Sequence, residues 1–362
     1  MLSSLLARLG KSKTAREERH RSNRHRDQWK SVRLLLETLE NRLAPDGNVS
    51  VTLNLTAKTL TLTGDALGNE VQISYDGNSQ QYTITGIDTL LNGDVMPLIF
   101  SDSDVHNIVV RLNQGDDNLE FTTQSSPATV NLNIDLGGGN DVLTFHNSNV
   151  DGNTVIRGRQ GNDQINSGQI VNSYTTFNGN VTVLLEQGDD ILHTSFEATQ
   201  AFNKNFIIDG GSGNDSIYID FADILFGTLH IKGSAGDDFI RINDSSIKKL
   251  QISAGTGGDF VGVGTVDEDT SFVYIFTTLT IQGDSGDDTI NVGAESTSQV
   301  LGSGFTLFTL KIFGGAGNDT VKVGTAPGFG NVNFNPSTSL ADGGPGTDTY
   351  TGPTTLTTTS FP

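Results

Sequence analysis

The sequence predicts an all-β chain, a single-stranded right-handed parallel β-helix of roughly 10–12 coils. Three observations predict it. A Gly-x-Asp turn recurs ten times, on Asp117, Asp141, Asp163, Asp190, Asp215, Asp238, Asp259, Asp288, Asp319 and Asp348. Apolar and polar residues alternate on both sides of each turn, which is the period of a strand. The spacing averages about 26 residues, too short for a propeller blade and without the helical period of leucine-rich or ankyrin repeats.

The repeat has fixed places, counted from its Asp. Two residues before stands Gly in every copy, from Gly115 to Gly346. Two after stands an apolar or aromatic residue, from Leu119 to Tyr350. Seven before stands Ile or Val in every copy but the last, which has Ala341. These places face inward, Ile231 among them. Six before, on the outer face, come Arg111, Asp135, Arg157, Leu184, Asp209 and Lys232. Coils stacked in register set Arg111 and Arg157 on either side of Asp135, and Asp209 beside Lys232. The block needs no gaps, and length varies only outside it, as in a structural unit with tolerant loops. At ~4.8 Å per coil the stack forms a rod on the order of 45–50 Å long.

In chain order, residues 1–47 form a basic arm. Val32, Leu35, Leu36, Leu39 and Leu43 fall at helical spacing before Pro45-Asp46-Gly47 stops the helix. The arm reads as a targeting segment or as disordered chain. No apolar run reaches signal-peptide length or could span a bilayer. Residues 48–105 read as irregular N-terminal coils or a cap, with a degenerate repeat that puts Glu70 at the Asp place. From Glu70 to Asp117 is about two coils of chain. Residues 106–352 hold the regular coils, and 353–362 read as a disordered polar tail.

Charge and composition narrow the function. The formal charge is −20, with the positive excess confined to the arm. The acidic body repels nucleic acid and attracts cations. Cysteine is absent, which excludes disulfides, thiolate metal sites and cysteine nucleophiles.

Two resemblances follow. Leu36-Glu37-Thr38-Leu39-Glu40-Asn41-Arg42 resembles the Leu-Glu-x-Leu-Glu-x-Arg segment near the N-termini of many planctomycete surface or exported proteins. It implies an extracellular or cell-surface location, reached through a non-standard signal. Gly210-Gly211-Ser212-Gly213-Asn214-Asp215 and Gly314-Gly315-Ala316-Gly317-Asn318-Asp319 resemble the Gly-Gly-x-Gly-x-Asp calcium turns of the repeats-in-toxin family. That family repeats every nine residues, whereas here the motif comes once per coil. The resemblance implies Ca²⁺ held between stacked turns by the ten aspartates, best at Asp190, Asp215, Asp238 and Asp319 and weakest at Asp259. Asp116, Asp189, Asp237 and Asp287 add a second acid in four turns. The alternative is that each Asp caps its own turn by accepting backbone N–H bonds.

Nothing marks catalysis. Arg157 and Arg159, near Asp135 and Asp163, are the nearest match to a lyase base beside calcium-binding acids, and the acids show no hydrolase pair. His106, His146, His193 and His230 occupy different places in their coils and read as solvated strand residues. Outward aromatics such as Phe313 look too scattered for a carbohydrate platform. The expected function is an exported structural or adhesive β-helix, not an enzyme. It would bind calcium and meet an envelope polysaccharide or protein. The alternatives are a polysaccharide lyase or hydrolase, and a metal-free scaffold.

Overall fold

The computed structural model describes residues 47–168, 174–194, 200–265, 271–293, 299–302, 307–324 and 331–362. The expected arm and its helix lie outside these, apart from Gly47, which begins the strand Gly47–Asn54.

Each coil is built as the alternation dictates. In Phe206–Ser212 and Ser216–Asp220 every second side chain is buried, and the Gly213 turn joins the two strands. Neighbouring coils pair in parallel and in register. One inward column runs Ile208, Ile231, Ile252, Ile281, Ile312. Its counterpart across the core runs Ile217, Ile240, Val261, Ile290, Val321. All of these are at most 1% exposed, so Ile231 faces inward as expected. In the second sheet, parallel pairing runs unbroken from Glu70–Asp76 to Thr349–Thr351. The fold is a parallel β-solenoid. Among the described residues there is no α-helix, and no helix long and apolar enough to cross a membrane.

A third face absorbs the length variation. It is made of short strands such as Thr176–Phe177 and Gln200–Phe202 and of register shifts at Ile224/Thr228 and Ile247/Lys249. On its inner side Phe177 and Phe202 stack at a centroid spacing of 5.5 Å, and Phe145 of the second sheet meets Phe177 edge-on at 5.2 Å.

Both ends depart from the sequence reading. Val71 pairs directly with Leu119, so Asn69, not Glu70, occupies the Asp place of the first coil. The chain from there to Asp117 is one rung, not two coils. The extra residues form antiparallel strands, Gln81–Gly86 on Glu70–Asp76 and Leu98–Ser101 on Gln81–Gly86. Two-residue alternation cannot distinguish an antiparallel return from another coil. The tail is ordered rather than disordered. Thr357–Thr359 pairs in parallel with Leu340–Asp342, Leu356 is buried, and Phe361 packs on Tyr350 at 5.4 Å. Its polar composition hid a strand whose partner lies one coil back.

Candidate metal centre along the turn column

The ten aspartates form one continuous column, but inside the solenoid. Each is at most 2% exposed. The backbone N–H of Asp117 donates to Oδ1 of Asp141, that of Asp215 to Asp238, and that of Asp319 to Asp348, at 2.8 Å each. The links between follow the same rule, and Asn69 N–H donates to Asp117 at the start. Each carboxylate therefore caps the turn of the preceding coil, not its own. Across adjacent coils the Asp238 carboxylate meets the Asp215 backbone N–H, while the Asp215 carboxylate meets that of Asp190.

The other oxygen is the unusual one. Oδ2 of all ten aspartates is buried without a hydrogen-bond partner. In six coils it lies over the glycine five residues before it: Gly158, Gly210, Gly233, Gly283, Gly314 or Gly343. A methyl on Gly210 would strike both Asp215 Oδ2 and the Gly233 carbonyl of the next coil. Glycine suits these six places because two oxygens crowd the position that a Cβ would take. Two acceptors meeting in a buried place call for a proton or a cation between them. Burial, helped by the neighbouring carboxylates, pushes Asp117, Asp163, Asp190, Asp238 and Asp288 up to about 7 against the N–H bonds that lower them. Burial likewise raises Asp141 and Asp215 to about 6. It raises Asp259 and Asp319 as well. The donor set fits a hard cation in part. It offers one orphan carboxylate oxygen and one carbonyl per turn. Among the described residues no three acidic or imidazole side chains converge, so a cation would draw on turn carbonyls. Gly158, Gly210, Gly233, Gly283, Gly314 and Gly343 place no side chain beside Asp163, Asp215, Asp238, Asp288, Asp319 and Asp348. Leu112, Leu136, Leu185 and Ala254 fill that place beside Asp117, Asp141, Asp190 and Asp259.

The second acids do a different job. One residue before the column, Asn140 N–H donates to Asp116 Oδ1, Asn214 to Asp189 and Asn318 to Asp287, at 2.7–2.8 Å. Asp237 N–H donates to Asn214 Oδ1 at 2.7 Å. Here the side chain caps the following coil, so this exposed ladder runs opposite to the buried one. Asn and Asp serve it equally, because only an acceptor is needed. The sequence reading missed a third ladder. Asn131 caps Asn153, Asn153 caps Asn180, and Asn180 caps Asn205. Its signal was present: asparagine stands ten residues before the Asp in five successive coils.

The proposed lyase residues do not meet around Asp163, which points inward while the arginines point out. Arg111 and Arg157 flank Asp135 in register as expected. The ion pair goes instead to Arg159, with bonds of 2.7 and 3.0 Å to Asp135, and a second pair to Glu186 at 3.4 Å. Arg157 turns to Asn133 at 2.9 Å. Lys232 and Asp209 pair at 3.5 Å as expected.

His193 is buried rather than solvated, 3.2 Å from Asp220, which lies 3.6 Å from Arg241. Outward aromatics are less scattered than the sequence suggested, since Phe239 and Phe260 stack at 4.8 Å and 10°. Their faces cover one another, which leaves edges rather than an open platform. No family model, no curated protein and no solved structure matches this chain.

Proposed function

We propose that the chain is a non-catalytic structural solenoid of the cell surface or extracellular matrix, stiffened by calcium at its turns. The observation that supports it is the column of buried carboxylates, each with one orphan oxygen. Ca²⁺ would be held at Asp163, Asp215, Asp238, Asp288, Asp319 and Asp348, where glycine brings the carboxylate and a turn carbonyl together, and would replace protons on those oxygens. The ion supplies positive charge that joins neighbouring coils.

The test is thermal melting of the whole chain in calcium, magnesium or chelator at matched ionic strength. Calcium binding to the folded state alone stabilises by about 2.7 kcal/mol at a hundredfold excess over Kd. Magnesium should do less, because it dehydrates reluctantly. Asp215→Ala with Asp238→Ala should blunt the response. Equal melting temperatures in calcium and chelator would leave a metal-free scaffold.

The rival reading, a polysaccharide lyase or hydrolase, draws on the Asp135–Arg159–Glu186 cluster. Against a lyase base there, hydrogen bonding to Asp135 raises Arg159 and holds its proton more firmly. Release of reducing or unsaturated ends from glycans would decide for the enzyme.

A further inference from the structure

One groove on the outer face has no part in the turn column. Its volume is about 380 Å³, and it runs past Arg111, Asp135, Arg159 and Glu186. Its floor is rigid. Arg159 bonds Asp135 in the preceding coil with two N–H groups and pairs with Glu186 in the next. The place four before each Asp is left-handed in every coil, and five coils use glycine there. Arg159 (φ 89°) and Glu186 (φ 79°) occupy it in successive coils. A side chain in that region costs roughly 1–2 kcal/mol, a cost that Ser234 and Asp284 also carry at the same place in other coils.

The walls carry spare hydrogen-bonding capacity. Gln114, Gln160 and Gln187 line the groove with exposed side chains. None of the three, nor Arg111, is among the residues that hydrogen-bond or ion-pair through a side chain within the described structure. Each Gln amide offers both donors and an acceptor. The two arginines balance the two acids, so the groove is locally neutral on a molecule of charge −20. A bare anion would meet Asp135 and Glu186, and a bare cation would meet Arg111 and Arg159. A hydroxyl, which both donates and accepts, suits such walls.

We propose that this groove is a binding subsite for a neutral polysaccharide, held through sugar hydroxyls by Arg111 and the three glutamines over the Asp135–Arg159–Glu186 floor. The proposal rests on the surface reading above and gives it a partner.

Affinity electrophoresis of the full chain tests it, through gels carrying dextran, mannan or β-glucan, with alginate and chitosan as charged comparators. Retardation is expected in at least one neutral gel. Arg159→Gly keeps the left-handed backbone and removes the floor. Gln160→Ala with Gln187→Ala removes one wall. Each should weaken retention about tenfold, while Arg157→Ala, outside the groove, leaves it unchanged. No retardation in any neutral gel, retardation in a charged gel alone, or equal retention of all variants overturns the proposal. Reducing ends released from a retained glycan would support the groove and overturn the non-catalytic reading. Failure of the calcium response with retention intact would leave the groove standing.

Discussion

At the scale of the residue, the buried aspartate column makes a prediction of definite sign. Seven of these carboxyls sit near 6 or 7 in the folded chain, against an ordinary value of 3.8. The folded state therefore holds more protons than the unfolded state between about pH 4 and 7. With calcium chelated, stability should be greatest near pH 4, fall as pH rises to about 7, and level off above it. Melting curves across that range check it, and stability that climbed with pH would mean the carboxylates are ionised when folded. Asp238→Asn sharpens the test. Its amide oxygen can accept the Asp215 N–H, and its NH₂ can donate where Oδ2 has no partner. The variant should melt higher than wild type at pH 8 in chelator, with a shallower pH dependence. Loss of stability there would show that a negative charge is needed at that place.

At the scale of the coil, the sequence displayed the strands and concealed the direction of the caps. Ile231 and Ile252 announced their inward column through spacing alone, because period-two burial writes itself into the chain. That Asp141 caps the coil before it while Asn140 receives its cap from that same coil could not be read. Both facts depend on backbone direction at two left-handed residues, not on residue type. Ile231→Asp should cost several kcal/mol, since a carboxylate there has no partner among Ile208 and Ile252. Loss of soluble protein would be the readout, and wild-type melting would put the place on the outer face. The left-handed place gives an opposite expectation. Glu186→Gly removes the penalty of a side chain at φ 79° and only a weak exposed ion pair at 3.4 Å. It should raise stability by up to about 1 kcal/mol, seen as a higher melting temperature, while weakening glycan retention. A lower melting temperature would show that Glu186 is there for packing.

At the scale of the whole molecule, a solenoid has two ends that its repeats cannot satisfy. The last coil presents unpaired N–H and C=O groups and a core open at one side. The N-terminal end meets this with antiparallel returns, and Tyr75 packs on Tyr82 at 4.8 Å. At the other end the work falls to ten polar-looking residues. Thr357–Thr359 pairs with the edge of Leu340–Asp342, Gly343 N–H donates to Thr359 at 3.0 Å, Leu356 is 3% exposed, and Phe361 covers Tyr350. Ending the chain at Gly352 would uncover the strand Leu340–Asp342 and the Tyr350 ring while leaving every upstream pairing intact. Because coils contact only their neighbours, the loss should stay local, fraying the last coil and leaving far-ultraviolet circular dichroism nearly unchanged. The bared edge would then be a template for a second copy. Size-exclusion chromatography should show association that grows with protein concentration in the shortened chain and not in the full one. A shortened chain that stayed monomeric, with its last coil still protected from hydrogen exchange, would show that the tail lies on the rod without closing it.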